Sequence, residues 1–428
     1  MINKPFISVL QLGQLIKQLF TWLLLIASIA FLVGTSVAFF LWSLDKVTTF
    51  RWHYSWLLFL LPFAGIGIVF LYKNLGRRSE KGNNLLIEEI HQTTNAVPIG
   101  MAPLILVTTL LTHLFGGSAG REGTAVQMGG SIAAQISKWF FLKPPMQKLV
   151  LLMGMSAGFG AVFGTPIAAT IFALEVLAIG RIKYDALLPC LFTAIAADIT
   201  CAAWGIEHTK YIVNNYYAIA EGVFSQKHLW LLLKIIPTAI AFGITAWLFS
   251  NSIFLLKKQL KNYVNNPYLV VFIGGTIIIV LSYALNSFDY LGLGVTNSAG
   301  GASILQSFTP NGVTNFSWLW KLIFTVITLA VGFKGGEVTP LFFIGAALGN
   351  VLANVVGVPT DLLAAIGFVA VFAGATNTPL ASTIMAVELF GTNNLVYFAV
   401  GCFIAYYFSG HKGIYTAQKI DTHKHILK

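Results

Sequence analysis

Helix-length apolar runs recur along this chain from end to end, beginning at about 20–42 and 55–72, and few charges interrupt them. One helical crossing of a bilayer needs roughly 20 apolar residues, and these runs meet that length. Only 10% of the 428 residues are charged, against about 25% in a water-soluble domain, so most of the surface faces lipid. An ordinary soluble enzyme is excluded. The pattern predicts an all-α polytopic membrane protein, with residues 1–428 forming a single transmembrane domain.

The 26 basic residues outnumber 15 acidic ones, giving a net charge of +11, but they form no stripe of the kind that tracks nucleic acid. They lie between apolar runs: Lys4 and Lys17 before the first, Arg77, Arg78 and Lys81 after the second, and Lys412, Lys419, Lys424 and Lys428 at the end. The positive-inside rule places all three zones in the cytoplasm, with both termini there and an even number of crossings. The surplus of bases is thus a topology signal. Cys190, Cys201 and Cys402 lie inside apolar segments without metal-ligand spacing and read as small core residues. No small-residue cleavage site follows the first apolar run, which reads as a membrane helix and not a signal peptide.

Ten carboxylates stand in polar, loop-like or terminal stretches and need no special account: Asp45, Glu80, Glu88, Glu89, Asp185, Glu207, Glu221, Asp289, Asp361 and Asp421. Five remain at membrane depth: Glu122, Glu175, Asp198, Glu337 and Glu388. A charge there costs at least ~2.5 kcal/mol on insertion scales, so each is a functional candidate.

An internal repeat sorts them. Residues 117–124 (GSAGREGT) align with 332–339 (GFKGGEVT), so that Glu122 corresponds to Glu337. Residues 164–176 (GTPIAATIFALEV) align with 377–389 (NTPLASTIMAVEL), and Glu175 corresponds to Glu388. Two blocks in the same order, at offsets of 215 and 213, mark transporter architectures whose halves meet at the membrane midplane through broken helices. The repeat predicts halves over about 15–205 and 228–410, with a short cytoplasmic tail expected over 411–428 and no cytoplasmic regulatory domain expected.

Glycine crowds the approach to both glutamates: Gly116, Gly117, Gly120 and Gly123 in one half, Gly332, Gly335 and Gly336 with Pro340 in the other. A Gly-rich turn entering a helix aims backbone N–H groups and the positive end of the helix dipole at whatever lies in front, which makes an anion site without a cationic side chain. Irregular backbone at this depth is tolerated only where it is buried in protein or lines a water-filled cavity. A third helix start follows Lys81-Gly82-Asn83-Asn84. There Asn83 or Asn84 is either a helix cap or an amide donor to an anion. Tyr415, after the last long apolar run, is either an interfacial anchor or a phenolic donor.

These residues resemble a known family. Gly120-Arg121-Glu122-Gly123-Thr124 is similar to the glutamate-bearing signature of the CLC chloride channels and proton-coupled antiporters, with Thr124 where proline is usual. Gly335 to Pro340 resembles their second anion-binding signature, Gly82 to Leu86 falls at their serine-bearing helix start, and Tyr415 falls at their anion-contacting tyrosine. The resemblance spans roughly 15–418 and implies the CLC-type fold of two inverted-topology repeats with broken and re-entrant helices. Asn83 in place of serine, Glu337 followed by Thr339, and Thr124 together resemble the CLC-F branch of bacterial fluoride/proton antiporters. Val176 stands where chloride/proton exchangers carry an internal proton-transfer glutamate. The resemblance therefore implies a homodimer in the bacterial inner membrane that exports fluoride against protons and takes no cofactor. A CLC-type chloride channel or chloride/proton antiporter is the alternative.

On these expectations Glu122 is the gating and proton-carrying group. Ionised, it mimics an anion at a helix start; protonated, it moves aside. Fluoride, small and strongly hydrated, would be held by backbone N–H groups around Gly123 and Val338, the Thr339 hydroxyl, the Tyr415 phenol and the Asn83 amide. A carboxylate at Glu337 repels fluoride unless it is protonated or paired. Lys334 is its candidate partner, and a protonated Glu337 donating to fluoride is the favoured role. Glu175 and Glu388 are expected to cap or pair locally near helix ends, and Asp198 has neither motif nor repeat partner. Gly154-Met155-Ser156-Ala157-Gly158 matches a serine-hydrolase elbow in letters, which makes an intramembrane hydrolase the rival from another class. In a small-residue membrane helix, Gly154 and Gly158 instead predict close helix packing. The 34 phenylalanines read as core and lipid-facing filling, and His423 with His425 is too short a tract to hold a metal.

Overall fold

The computed structural model describes residues 9–94, 97–214, 226–297 and 300–424. Lys4, Glu221, His425 and Lys428 lie outside them. In chain order the helices are α1 (Val9–His53), α2 (Leu61–Leu75), α3 (Asn83–His91), α4 (Met101–Leu114), α5 (Glu122–Trp139), α6 (Pro144–Phe163), α7 (Pro166–Glu175) and α8 (Leu187–Ala203). They continue as α9 (Gln226–Tyr263), α10 (Pro267–Ala284), α11 (Ser317–Val331), α12 (Val338–Val356), α13 (Thr360–Thr376), α14 (Pro379–Phe390) and α15 (Leu395–Phe408). One two-stranded parallel ribbon joins β1 (Ala178–Ile179) to β2 (Lys419–Ile420).

Seven segments among the described residues are long and apolar enough to cross a membrane, the first at Ile16–His53 and the last at Val338–Val356. Six other apolar helices have only 10–17 residues. At 1.5 Å per residue these reach about 15–26 Å, short of a hydrocarbon core of ~30 Å, so they end within the membrane and leave helix termini at depth. The all-α architecture with broken helices is as expected.

Glycine lets the broken helices approach closely. A Cβ at Gly129 on α5 would stand 2.1 Å from the Gly154 carbonyl on α6, and one at Gly158 would stand 2.3 Å from the Ala125 carbonyl. The α12–α13 pair repeats the device, with a Cβ at Gly345 falling 2.0 Å from the Gly367 carbonyl. Only backbone fits in these places. Gly345→Val is expected to drive α12 from α13 and lower stability by about 1–3 kcal/mol, seen as a fall in melting temperature of the detergent-purified protein. Ser156 lies inside α6, completely buried, with its hydroxyl donating to the Cys190 carbonyl at 3.3 Å. The elbow geometry that a hydrolase needs is absent from this segment.

The halves are stitched by exchanged carboxylates. Glu175, at the end of α7, accepts from the N–H groups of Leu380 (3.1 Å) and Ala381 (2.8 Å) in the first turn of α14. Glu388 on α14 accepts from Ile167 (3.0 Å) and Ala168 (2.7 Å) in the first turn of α7. Both glutamates cap, as expected, but each caps the other half and not its own neighbourhood. Four N–H groups that a helix start leaves orphaned at depth are thereby satisfied. Glu175→Gln keeps the shape but turns one acceptor into a donor facing an N–H. It should cost about 1–3 kcal/mol, read by thermal unfolding, while the folded protein keeps its wild-type coupling ratio.

Some loop carboxylates are less ordinary than their sequence context implies. Glu89 is buried and accepts from the Thr94 N–H and hydroxyl, and buried Asp361 accepts from the N–H groups of Leu362 and Asn214. Both tie chain turns where local polarity had signalled only solvent. Asp198 lies 3.5 Å from His208. The three cysteines are free and buried, as expected of core residues.

After α15 the chain folds back against the bundle. Ile414 N–H donates to the Ala375 carbonyl, and β2 lies on β1. Lys424 inserts its ammonium among the Asn377 side-chain oxygen, the Ser409 hydroxyl and the carbonyls of Tyr406 and Gly410. This anchorage holds Tyr415 inside the protein.

Candidate functional site

Three helix starts converge, one each from α3, α5 and α12. The loops preceding α5 and α12 pair with each other as a single antiparallel bridge: Gly120 N–H donates to the Gly336 carbonyl at 2.6 Å, and Gly336 N–H to the Gly120 carbonyl at 2.8 Å. The contact leaves no room for side chains. A Cβ at Gly336 would fall 2.8 Å from the Gly123 nitrogen. Glycine at these positions is therefore what brings two positive helix ends together at one point.

Glu122 is 1% exposed and reaches across this junction. Its carboxylate accepts the Thr339 N–H at 3.0 Å and the Thr339 hydroxyl at 2.6 Å, and Arg121 N–H at 3.2 Å. The Arg121 Nε lies 3.7 Å away. A hydrogen bond to a charged group contributes ~1.5–3 kcal/mol, and a helix N-terminus favours an anion by up to ~2 kcal/mol. A carboxylate therefore sits where an anion would. Within the expected set, Thr339 makes these contacts with both its groups, and Val338, one residue earlier, opens the helix. Thr124, in the place where proline is usual, turns its hydroxyl to Thr109 at 2.8 Å and ties α5 to α4.

Of the remaining candidates, Asn83, Glu337 and Tyr415 line a cavity of about 250 Å³ that Glu122 does not line. A Cβ at Gly123 would stand 3.1 Å from Asn83 Nδ2 and 3.6 Å from Glu337 Oε2. The missing side chain at Gly123, the residue after Glu122, thus lets the amide and the second carboxylate approach its backbone. The start of α3 is bent by Gly82 at φ 58°, ψ −130°, which a side chain rarely adopts. Neither asparagine caps α3 with its side chain. Asn84 accepts from the Ala417 N–H at 2.9 Å and so binds the tail, whereas Asn83 keeps a buried oxygen with no partner. Tyr415 is buried, edge-on to Phe172 at 6.2 Å, and is no interfacial anchor.

The expected Lys334–Glu337 pair does not form. No ion pair joins the two among the described residues, and the Lys334 ammonium stands 4.2 Å over the Tyr72 ring. Three residues apart in a non-helical turn, the side chains diverge. Both nevertheless line the same cavity, together with Lys257 from the end of α9. Lys257 had no motif to reveal it. Gln127 is another lining residue that sequence reasoning missed, and its side-chain oxygen is buried without a partner. Its position one helical turn after Gly123 is the signal that could have found it.

The comparisons agree with this fold. The family model described as voltage-gated chloride channel matches residues 64–410. A relative from Pseudomonas syringae pv. tomato, called chloride/fluoride channel protein, is 44% identical over 412 residues, covering 96% of this chain and 89% of its own. A solved CLC-type fluoride/proton antiporter superposes with a TM-score of 0.87 at 36% identity, covering 97% of this chain and all of that one. A slow cyanobacterial chloride/proton antiporter shares the fold at a TM-score of 0.75 and 19% identity, over 92% of this chain and 96% of that one. With two halves related by inverted topology, broken helices at depth and a glutamate bridging two helix starts, the chain belongs to the CLC family of voltage-gated chloride channels and transporters.

Proposed function

We propose that this protein is a fluoride/proton antiporter that exports cytoplasmic fluoride. One observation carries most of the weight: the Glu122 carboxylate is bound by the Thr339 N–H and hydroxyl at the start of α12, the donors an anion would use. Carboxylate and anion compete for the same donors, so an anion can occupy them only when Glu122 is elsewhere. Protonation removes the charge that holds it there. Mutual exclusion of this kind couples an anion moving one way to a proton moving the other. The choice of fluoride draws support from the relative called chloride/fluoride channel protein and the solved fluoride/proton antiporter.

The cavity completes the path. Asn83 Nδ2 and Glu337 Oε2 both approach Gly123, and Tyr415 lines the same space. Glu337 in its acid form donates a hydrogen bond to fluoride, which suits an ion whose conjugate acid is weak, and keeps its proton for the inward-moving path, since transfer to fluoride would carry the proton out as hydrogen fluoride. The working protein is a homodimer in the bacterial inner membrane, with both termini cytoplasmic, an anion path in each subunit and no enzymatic activity. Liposomes loaded with potassium fluoride test this: because fluoride leaving and a proton entering both carry positive charge inward, efflux should acidify the interior once a potassium ionophore lets potassium leave to balance the charge. Passive chloride flux without proton movement would instead establish a chloride channel.

A further inference from the structure

A second cluster of basic residues, Arg51, His113 and Lys321, lies away from the Glu122 junction, where α1, α4 and α11 meet the loop after α10. Lys321 is completely buried and donates to the carbonyls of Tyr290 (3.1 Å) and Gly292 (2.8 Å). Arg51 reaches the same loop: a Cβ at Gly292 would stand 3.5 Å from its Nη2 and 3.9 Å from His113 Nδ1. No carboxylate is within ion-pair distance of Arg51, His113 or Lys321 among the described residues.

Arg51 also walls a cavity of about 450 Å³ together with Thr48, Ser55 and Asn286. The Arg51 Nε and the Thr48 hydroxyl, three residues apart on one face of α1, are both buried without a partner. Buried donors are nearly always paired, and an unpaired one costs about 1–3 kcal/mol. Both point to a ligand that accepts hydrogen bonds and carries negative charge. Asp289 lines the cavity too, but its oxygens are engaged by the Asn297 amide and the Ala302 N–H. The α1–α2 junction is separated by the length of α2 from Arg77 and Arg78, so the positive-inside rule places it opposite the cytoplasm. The basic cluster beside the cavity approaches the gate through His113. The His113 ring lies 3.5 Å from the Gly120 carbonyl, two residues before Glu122.

We propose that the cavity walled by Arg51 and Thr48 is an outer binding site for a small monovalent inorganic anion, occupied by the transported ion as it leaves. The site stands on its own geometry; only its place as the exit station rests on the antiport proposal.

Bromide is the probe. Crystals of the full-length protein soaked in bromide should show an anomalous peak beside the Arg51 guanidinium and the Thr48 hydroxyl, lost in Arg51→Met. No peak in the wild type, or one unchanged in the variant, overturns the site. In liposomes, chloride on the outer side should slow fluoride efflux. The half-inhibiting concentration should rise about tenfold in Arg51→Gln and less in Arg51→Lys, as expected when a charge-assisted hydrogen bond is lost. Thr48→Val provides the same reading should the Arg51 variants fail to fold. A bromide peak with no shift in any variant marks an adventitious ion only and overturns the exit role. If wild-type efflux moves no protons the antiport proposal fails, while the bromide result still judges the site.

Discussion

Replacing Glu122 with glutamine is expected to abolish fluoride-driven proton movement in liposomes, lowering proton flux by about two orders of magnitude or more, the scale on which a positioned proton carrier acts. The geometry argues for so large an effect. Glu122 is buried, and its carboxylate accepts both donors of Thr339. Glutamine is the same size and can still accept from the Thr339 N–H, so the fold should survive. It cannot alternate between a charged form that holds the site and a neutral form that releases it. Fluoride flux should therefore persist in reduced or uncoupled form while proton flux vanishes. If Glu122→Gln pumped protons at the wild-type ratio, the gate would have to be another group.

Glu337→Gln should have the second-largest consequence. The side chain shares its cavity with Asn83, Tyr415, Lys257 and Lys334, yet forms no ion pair with either lysine among the described residues. A carboxyl so placed can serve fluoride as an acid. An amide still donates a hydrogen bond but carries no proton. Fluoride-coupled proton flux is thus expected to fall at least about tenfold, the consequence of losing ~1.4 kcal/mol at the limiting step. Preference for fluoride over chloride should fall as well, because a protonated carboxyl favours the more basic, smaller ion. Flux ratios from fluoride and chloride electrodes on the same vesicles decide this. Full coupling with full selectivity in Glu337→Gln would remove Glu337 from the mechanism.

The sequence exposes these two glutamates well because the constraints on them are local. Gly-rich turns, a glutamate and a helix start lie within eight residues, and the pattern occurs twice. The same local signal marks Asn83, Thr339 and Tyr415. What it hides is set by contacts between residues far apart in the chain. Glu175 and Glu388 look like local caps because each closes an apolar helix, but their partners lie 205 and 221 residues away. Lys334 lies near Glu337 in sequence and turns instead to Tyr72, a contact that only the fold creates. Arg51 and Thr48 sit at the end of an apolar helix and carry no motif, so only their unpartnered, buried groups call attention to them. Short polar interruptions in a membrane sequence therefore speak clearly of backbone geometry and faintly of which side chains meet.

The exchanged caps bear on how the protein is made. The α7 start is complete only when Glu388 is in place, and the α14 start only when Glu175 is. During synthesis α7 emerges more than two hundred residues before its cap, with polar N–H groups that cannot remain bare in hydrocarbon. The first half must therefore linger at the insertion machinery or keep α7 near headgroups and water until the second half arrives. Neither half made alone should settle stably in a bilayer, whereas the two made together as separate polypeptides have what they need to complete one another.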